Sequence, residues 1–203
     1  MPEDNRMNKK KKNSPVGTII FCVLLAAVII GLYFMLTRKK EDTKNEIPVE
    51  TSEADNLIKK DIDYDYPATP REVLKLYARI TKCIYSDDIT DEQIEKLVKQ
   101  VRKLYANALL ENNAEEEQIA FLKGDISEYR KENKIIYSYA IDSASNINVI
   151  KTKAGNTALI KMYFTLRAGA SMDRAFEEFS MLEEDGGKWK IAGWRPAEEK
   201  SLN

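Results

Sequence analysis

The sequence predicts an α+β domain behind an N-terminal single transmembrane helix, and three observations lead there. Residues 16–36 form an uncharged run of 21 residues, about the length a bilayer core requires of a helix. From Val73 to Tyr129 apolar residues recur at the spacing of amphipathic helices, with a period of roughly 3.6 residues. After Asn133 the pattern becomes alternating, as in strands with one buried face. The expected organisation is a basic cytoplasmic tail at 1–15, a transmembrane helix at 16–37, an acidic flexible linker at 38–66 and the α+β domain at 67–203.

The apolar run exceeds the core of a cleaved signal peptide, about 7–15 residues, and TRKKED follows it where small residues would mark cleavage. Arg6 and the block Lys9, Lys10, Lys11, Lys12 precede it, while Arg38, Lys39, Lys40 and Lys44 follow. The compact lysine block against an acidic tract favours a cytoplasmic N-terminus and an extracytoplasmic C-terminal domain at the cell membrane. The lipid bilayer is thus the first expected partner. Residues 41–66 hold nine acids, three lysines and no glycine, a composition that buries too little apolar surface to offset ordering entropy. Asp61, Asp63, Asp65 and Glu72 have the acidic spacing of a calcium loop, but Tyr66 stands where the turn needs glycine and Pro67 follows. A solvated tether is the expectation.

Three helices open the domain. Thr69, Pro70 and Glu72 make a capping box with proline in the first turn, and Val73, Tyr77, Ile80 and Ile84 then form one apolar stripe. A second box, Thr90 to Gln93, starts a helix carrying Ile94, Leu97, Val98, Val101, Leu104, Tyr105 and Leu109. A third helix, begun at Asn113 and Glu116, carries Ile119, Leu122, Ile126 and Tyr129. Cys83 reads as a small, half-buried side chain on the first of these.

A meander of about four antiparallel strands follows. Ile135, Tyr137, Tyr139 and Ile141 share one face of the first, residues 146–153 read as the second, and residues 158–167 place Ile160, Met162, Phe164 and Leu166 together. Residues 174–183 and 188–195 are joined by Asp185-Gly186-Gly187, a tight hairpin turn. Trp189 and Ile191 share a face, and a bulge at Gly193 brings Trp194 back to it. Both indoles then enclose one interior.

Composition excludes several chemistries. Histidine is absent, which removes histidine-based triads, Cys-His dyads and histidine-containing zinc sites. The eight glycines are dispersed apart from Gly186-Gly187, so neither a dinucleotide fingerprint nor a phosphate loop is present. With 32 basic and 33 acidic residues, no overall field recruits nucleic acid. No cofactor and no metal is expected.

The element order and the closing pattern F-x-x-F-x-M, then GG-K-W-K-I-x-G-W, resemble the nuclear transport factor 2-like (NTF2-like) superfamily. In that superfamily three helices pack on a bent antiparallel sheet to make a cone. The run YPATPREVLKLYARITKCIY also resembles functionally uncharacterised, membrane-anchored proteins of Gram-positive bacteria. The resemblance implies a cone whose open end takes a small ligand, a second copy of the chain or an envelope protein. A non-catalytic, membrane-tethered binding or assembly module is the expected function. A small-molecule isomerase or dehydratase on the same scaffold is the alternative, with Asp142 as base and Tyr137, Tyr139 or Tyr163 as donors. Phe164, Phe179, Trp189, Trp194, Tyr137 and Tyr139 are the candidate pocket lining, with core packing as the competing role.

Overall fold

A computed structural model of the chain describes residues 52–86, 88–153, 155–184 and 186–199. The helices are α1 (Glu53–Lys59), α2 (Pro70–Ile84), α3 (Asp91–Arg102), α4 (Asn107–Glu111) and α5 (Glu115–Lys131). The strands are β1 (Lys134–Ile141), β2 (Val149–Thr152), β3 (Gly155–Ala168), β4 (Ser171–Glu184) and β5 (Lys188–Pro196), with a short 3-10 turn at Ala144–Asn146.

Helix boundaries follow their caps. Thr69 accepts from the Glu72 backbone N–H while the Glu72 carboxylate accepts from Thr69, and Thr90 and Gln93 repeat the arrangement at α3. Each box satisfies two orphan donors of a first turn. The expected apolar stripes are buried: Val73, Leu74, Ile80, Ile94, Leu97 and Val98 are at most 1% exposed. Helix α2 packs on α3, β1 and β5, and α5 on α3 and β1.

The sheet is antiparallel, with order β1-β3-β4-β5, and β2 pairs with the same strand β3 as β1. Among the described residues it has five strands, one at each of the five segments read above as strands and one more than the expected count of about four, and two short helices join the expected three. The hairpin of β4 and β5 turns through Gly186 and Gly187, both at positive φ (84° and 74°), where a Cβ is disfavoured.

Two bulges re-aim side chains. In β1 the register slips between Ile136 and Ser138, leaving Tyr137 unpaired. Ile136 is therefore buried and Tyr137 is 46% exposed, so Ile135, Tyr137 and Tyr139 do not share one face as strict alternation predicts. In β5 the register slips between Ser180↔Gly193 and Met181↔Ile191. Ala192 is the extra residue, and Trp194 returns to the inner face opposite Phe179.

The second helix ends earlier than its stripe suggests. After Arg102 the helix gives way to a turn at Lys103 and Leu104, and Tyr105 makes an isolated parallel bridge with Ile191 on β5. Ile191 donates to the Leu104 carbonyl at 2.8 Å, and Ala106 donates to the Ile191 carbonyl at 2.9 Å. Leu104, Tyr105 and Ala106 are buried there.

The later part of the expected linker is folded. Ser52 caps α1, and Ala54, Leu57 and Ile62 join the core. The Gln100 amide donates to the carbonyls of Ile58 (2.7 Å) and Lys60 (2.9 Å), which satisfies groups left orphaned at a helix C-terminus. The acids of the calcium-like spacing are otherwise engaged: Asp61 accepts from the Tyr64 backbone, Asp63 pairs with Lys103, Asp65 with Lys60, and Glu72 serves the α2 cap.

Among the described residues no helix is long and apolar enough to cross a membrane. The longest, α5, has 17 residues and begins with three glutamates, short of the about 20 apolar residues a span needs. The expected span at 16–37 lies outside the described residues, as do the basic tail and residues 38–51. The architecture is corrected accordingly to an α+β domain without a membrane-spanning helix among those residues. The single-pass topology and the cell-membrane placement find no support in it.

Candidate ligand cavity

A cavity of about 510 Å³ lies between the helices and the inner face of the sheet. Its walls include Tyr77 and Thr81 on α2 and Tyr85 at its C-cap, Phe121 and Tyr129 on α5, Phe164 and Leu166 on β3, Ala175 and Glu177 on β4, and Trp194 on β5. Tyr105, fixed by its bridge to β5, completes the aromatic lining. Phe121 and Trp194, 72% and 43% exposed, mark where the cavity reaches solvent.

The rings are organised around Trp194. Its indole stacks on Phe179 at 5.7 Å between centroids with an interplanar angle of 22°. It lies 6.0 Å from Tyr77 and 6.1 Å from Tyr105, and these two tyrosines are 6.5 Å apart. Phe179 meets Tyr77 edge-on at 5.2 Å and is fully buried. On the opposite wall Tyr85 and Tyr129 are 4.8 Å apart, and the Tyr85 hydroxyl donates to Asp125 at 2.6 Å. Gln118 donates to the Tyr105 hydroxyl at 3.3 Å and accepts from Arg102 at 2.9 Å.

Glu177 is the unusual member. It shares the inward parity of β4 with Phe179 and Met181, both fully buried. Its Oε2 is buried and has no hydrogen-bonding partner among the described residues. Removal from water disfavours a carboxylate, and burial pushes the Glu177 carboxyl up from the usual 4.5 to about 7. The tyrosines respond to the same environment. Burial is the main cause of the raised Tyr77, Tyr85 and Tyr129 hydroxyls, and the Glu177 charge raises each further. Burial also pushes Tyr105 up to about 12. These hydroxyls are neutral hydrogen-bonding groups at neutral pH.

The six candidate lining residues divide. Phe164 and Trp194 line the cavity, and Phe179 supports it from behind through its contacts with Trp194 and Tyr77. Trp189 is 8% exposed and belongs to the core, its carbonyl accepting from the Tyr66 hydroxyl at 2.7 Å. Tyr137 lies outside the cavity under Arg167, 4.9 Å from its ring. Tyr139 borders a separate surface groove beside Cys83 and Arg79.

The acid–base set proposed from sequence does not assemble. Asp142 accepts from the Ser143 N–H and the Asn146 amide, at 3.0 and 2.8 Å, as a turn acid beyond the end of β1. Tyr163 packs against Phe176 at 5.2 Å with the rings tilted by 50°, and Arg174 lies over its ring. Neither they nor Tyr137 and Tyr139 are among the cavity walls. Cys83 is buried, and burial raises its thiol, the opposite of activation.

Sequence reasoning missed Glu177, yet a signal was available: an acid two residues before a buried phenylalanine falls on the core face of the same strand. No curated protein matches the chain. A family profile does, over residues 7–194, and the chain belongs to that family, described as a Domain of unknown function (DUF6715).

Proposed function

We propose that the domain is a non-catalytic binding module which holds a small ligand in the cavity of an NTF2-like cone. The observation that carries this reading is the Glu177 carboxyl, with Oε2 buried and unpartnered, on the wall of an aromatic cavity of about 510 Å³. Such groups cost free energy unless something satisfies them. The size falls within the about 300–1,000 Å³ of small-molecule sites, which combine apolar walls with a few polar anchors. A concave site with one deep polar anchor suits a small molecule better than a flat protein epitope. The resemblance noted in the closing hairpin and a helix layer set against an antiparallel sheet support the choice of scaffold.

Native mass spectrometry of the purified chain tests the reading. An adduct carried by the wild type and absent from Ala175→Phe, in which a ring fills the cavity, is the expected result. An adduct that persists in the filled variant places the ligand elsewhere and removes the basis for the proposal.

One observation favours a second reading. A carboxyl brought to about 7 is matched to proton transfer at neutral pH, so the same residue could serve an isomerase- or dehydratase-type reaction on the bound molecule. In that case Glu177→Gln abolishes turnover while the adduct remains.

A further inference from the structure

We propose that the ligand is a small organic cation, its positive head held between the Glu177 carboxylate and the Tyr77, Tyr105 and Trp194 rings. This rests on the cavity-binding reading above and specifies the chemistry it selects.

The first argument is sign. Among the described residues, Glu177 and Glu117 are the charged members of the walls, and no lysine or arginine is one of them. Basic groups on α3, α5 and β1 are committed elsewhere. Arg102 binds the Asn113 carbonyl, Gln118 and Glu115, Lys123 binds Glu95 and Asp91, and Lys134 binds Glu132. On β4 itself, the neighbouring Glu178 is the one that takes Arg195. An anionic ligand would thus meet two carboxylates and no counter-charge. A neutral apolar ligand would leave the buried Oε2 unsatisfied, while a cation supplies what a buried charge lacks.

The second argument is the shape of the aromatic wall. Tyr77, Tyr105 and Trp194 form a nearly equilateral triangle, with centroid separations of 6.0, 6.1 and 6.5 Å. Phe179 backs it through contacts with Tyr77 and Trp194. A charge over the centre of such a triangle lies roughly 5 Å from all three centroids, inside the about 6 Å reach of cation–π attraction. The remainder of the cavity, with Phe164, Leu166 and Leu122 among its walls, leaves room for an apolar body.

Calorimetric titration of the full chain with two probes of similar size, benzyltrimethylammonium and benzyl alcohol, tests the proposal. At about pH 8, where the Glu177 carboxyl is mostly ionised, the ammonium should bind at least about tenfold tighter than the alcohol. Glu177→Gln should cut that preference several-fold by weakening the ammonium more than the alcohol, with the remainder due to the rings. The preference should also fall as the pH drops below about 7. The groups facing Glu177 from α2, its C-cap and α5 are Tyr77, Tyr85 and Tyr129, whose raised hydroxyls do not titrate in that range. Glu117, at the exposed rim, is the other acid. Equal affinity for the two probes overturns the cation inference but leaves the cavity reading standing. A preference that Glu177→Gln leaves undiminished overturns it as well, by removing the anchor. Failure of both probes to bind at about 10 mM overturns the cavity reading together with the inference.

Discussion

Glu177 couples folding to pH in a direction opposite to that of a salt-bridged acid. Its folded value of about 7 lies above the ordinary 4.5, so the folded state holds the proton more tightly than the unfolded chain. The resulting stabilisation is fully present below about 4.5 and is lost as the pH rises through about 7. Chemical denaturation followed by circular dichroism at pH 4.5 and pH 8 should show wild type losing up to about 3 kcal/mol more than Glu177→Gln across this window. Equal losses in the two proteins would show that the carboxyl titrates normally. The two tryptophans should separate just as clearly. Trp189→Ala empties a core position and should cost about 3–5 kcal/mol. Trp194→Ala removes a ring that is 43% exposed and should cost only about 1–2 kcal/mol, leaving a folded protein with a widened cavity mouth. At this scale the sequence was a partial guide. Parity alone separates the two indoles, and the expected bulge near Gly193 returned Trp194 to the face of Trp189, but whether an inward ring meets core or cavity depends on which helix lies above it. Glu177 was equally open to parity reasoning. Its neighbour Glu178 obscured it, since in FEEF one glutamate must point inward and composition does not say which.

Helix α1 shows how an element can hide in an unfavourable composition. Averaged over residues 41–66 the chain is acidic and polar, yet Ser52 provides a cap and Leu57 and Ile62 provide two fully buried anchors. The second half of its attachment is non-local. Gln100 binds the carbonyls of Ile58 and Lys60, Gln93 binds Asp55 at 3.0 Å, and Arg79 binds Glu53. No window of sequence displays contacts across some forty residues. Gln100→Ala should therefore cost about 1–3 kcal/mol by orphaning buried carbonyls, and hydrogen exchange should accelerate in α1 ahead of α2 and α3. Uniform acceleration throughout the domain would argue against a separable role for Gln100. The strands were legible by their alternation, and the β4–β5 hairpin by its glycine pair. The bulge in β1 was not, because an extra residue in one strand is defined only by the register of its partner.

For the whole molecule, the α+β class and the helices-then-strands order were legible because periodicity is a local signal. The break after α3 and the cavity were not, since each depends on how distant segments meet. The bridge that carries residues 104–106 onto β5 has a consequence for association between molecules. Strand β5 ends the sheet, and an uncovered end presents free backbone groups on which another chain can add a strand. Leu104 and Ala106 occupy the Ile191 N–H and carbonyl, so this short run acts as a built-in guard against edge-to-edge polymerisation. Ala106→Pro would remove one of the two bonds with little local strain, since the native φ of −67° already matches proline's about −65°. Light scattering during a thermal ramp should then rise at a lower temperature than in wild type, and an unchanged onset would mean that the end of the sheet is protected by side chains rather than by backbone pairing.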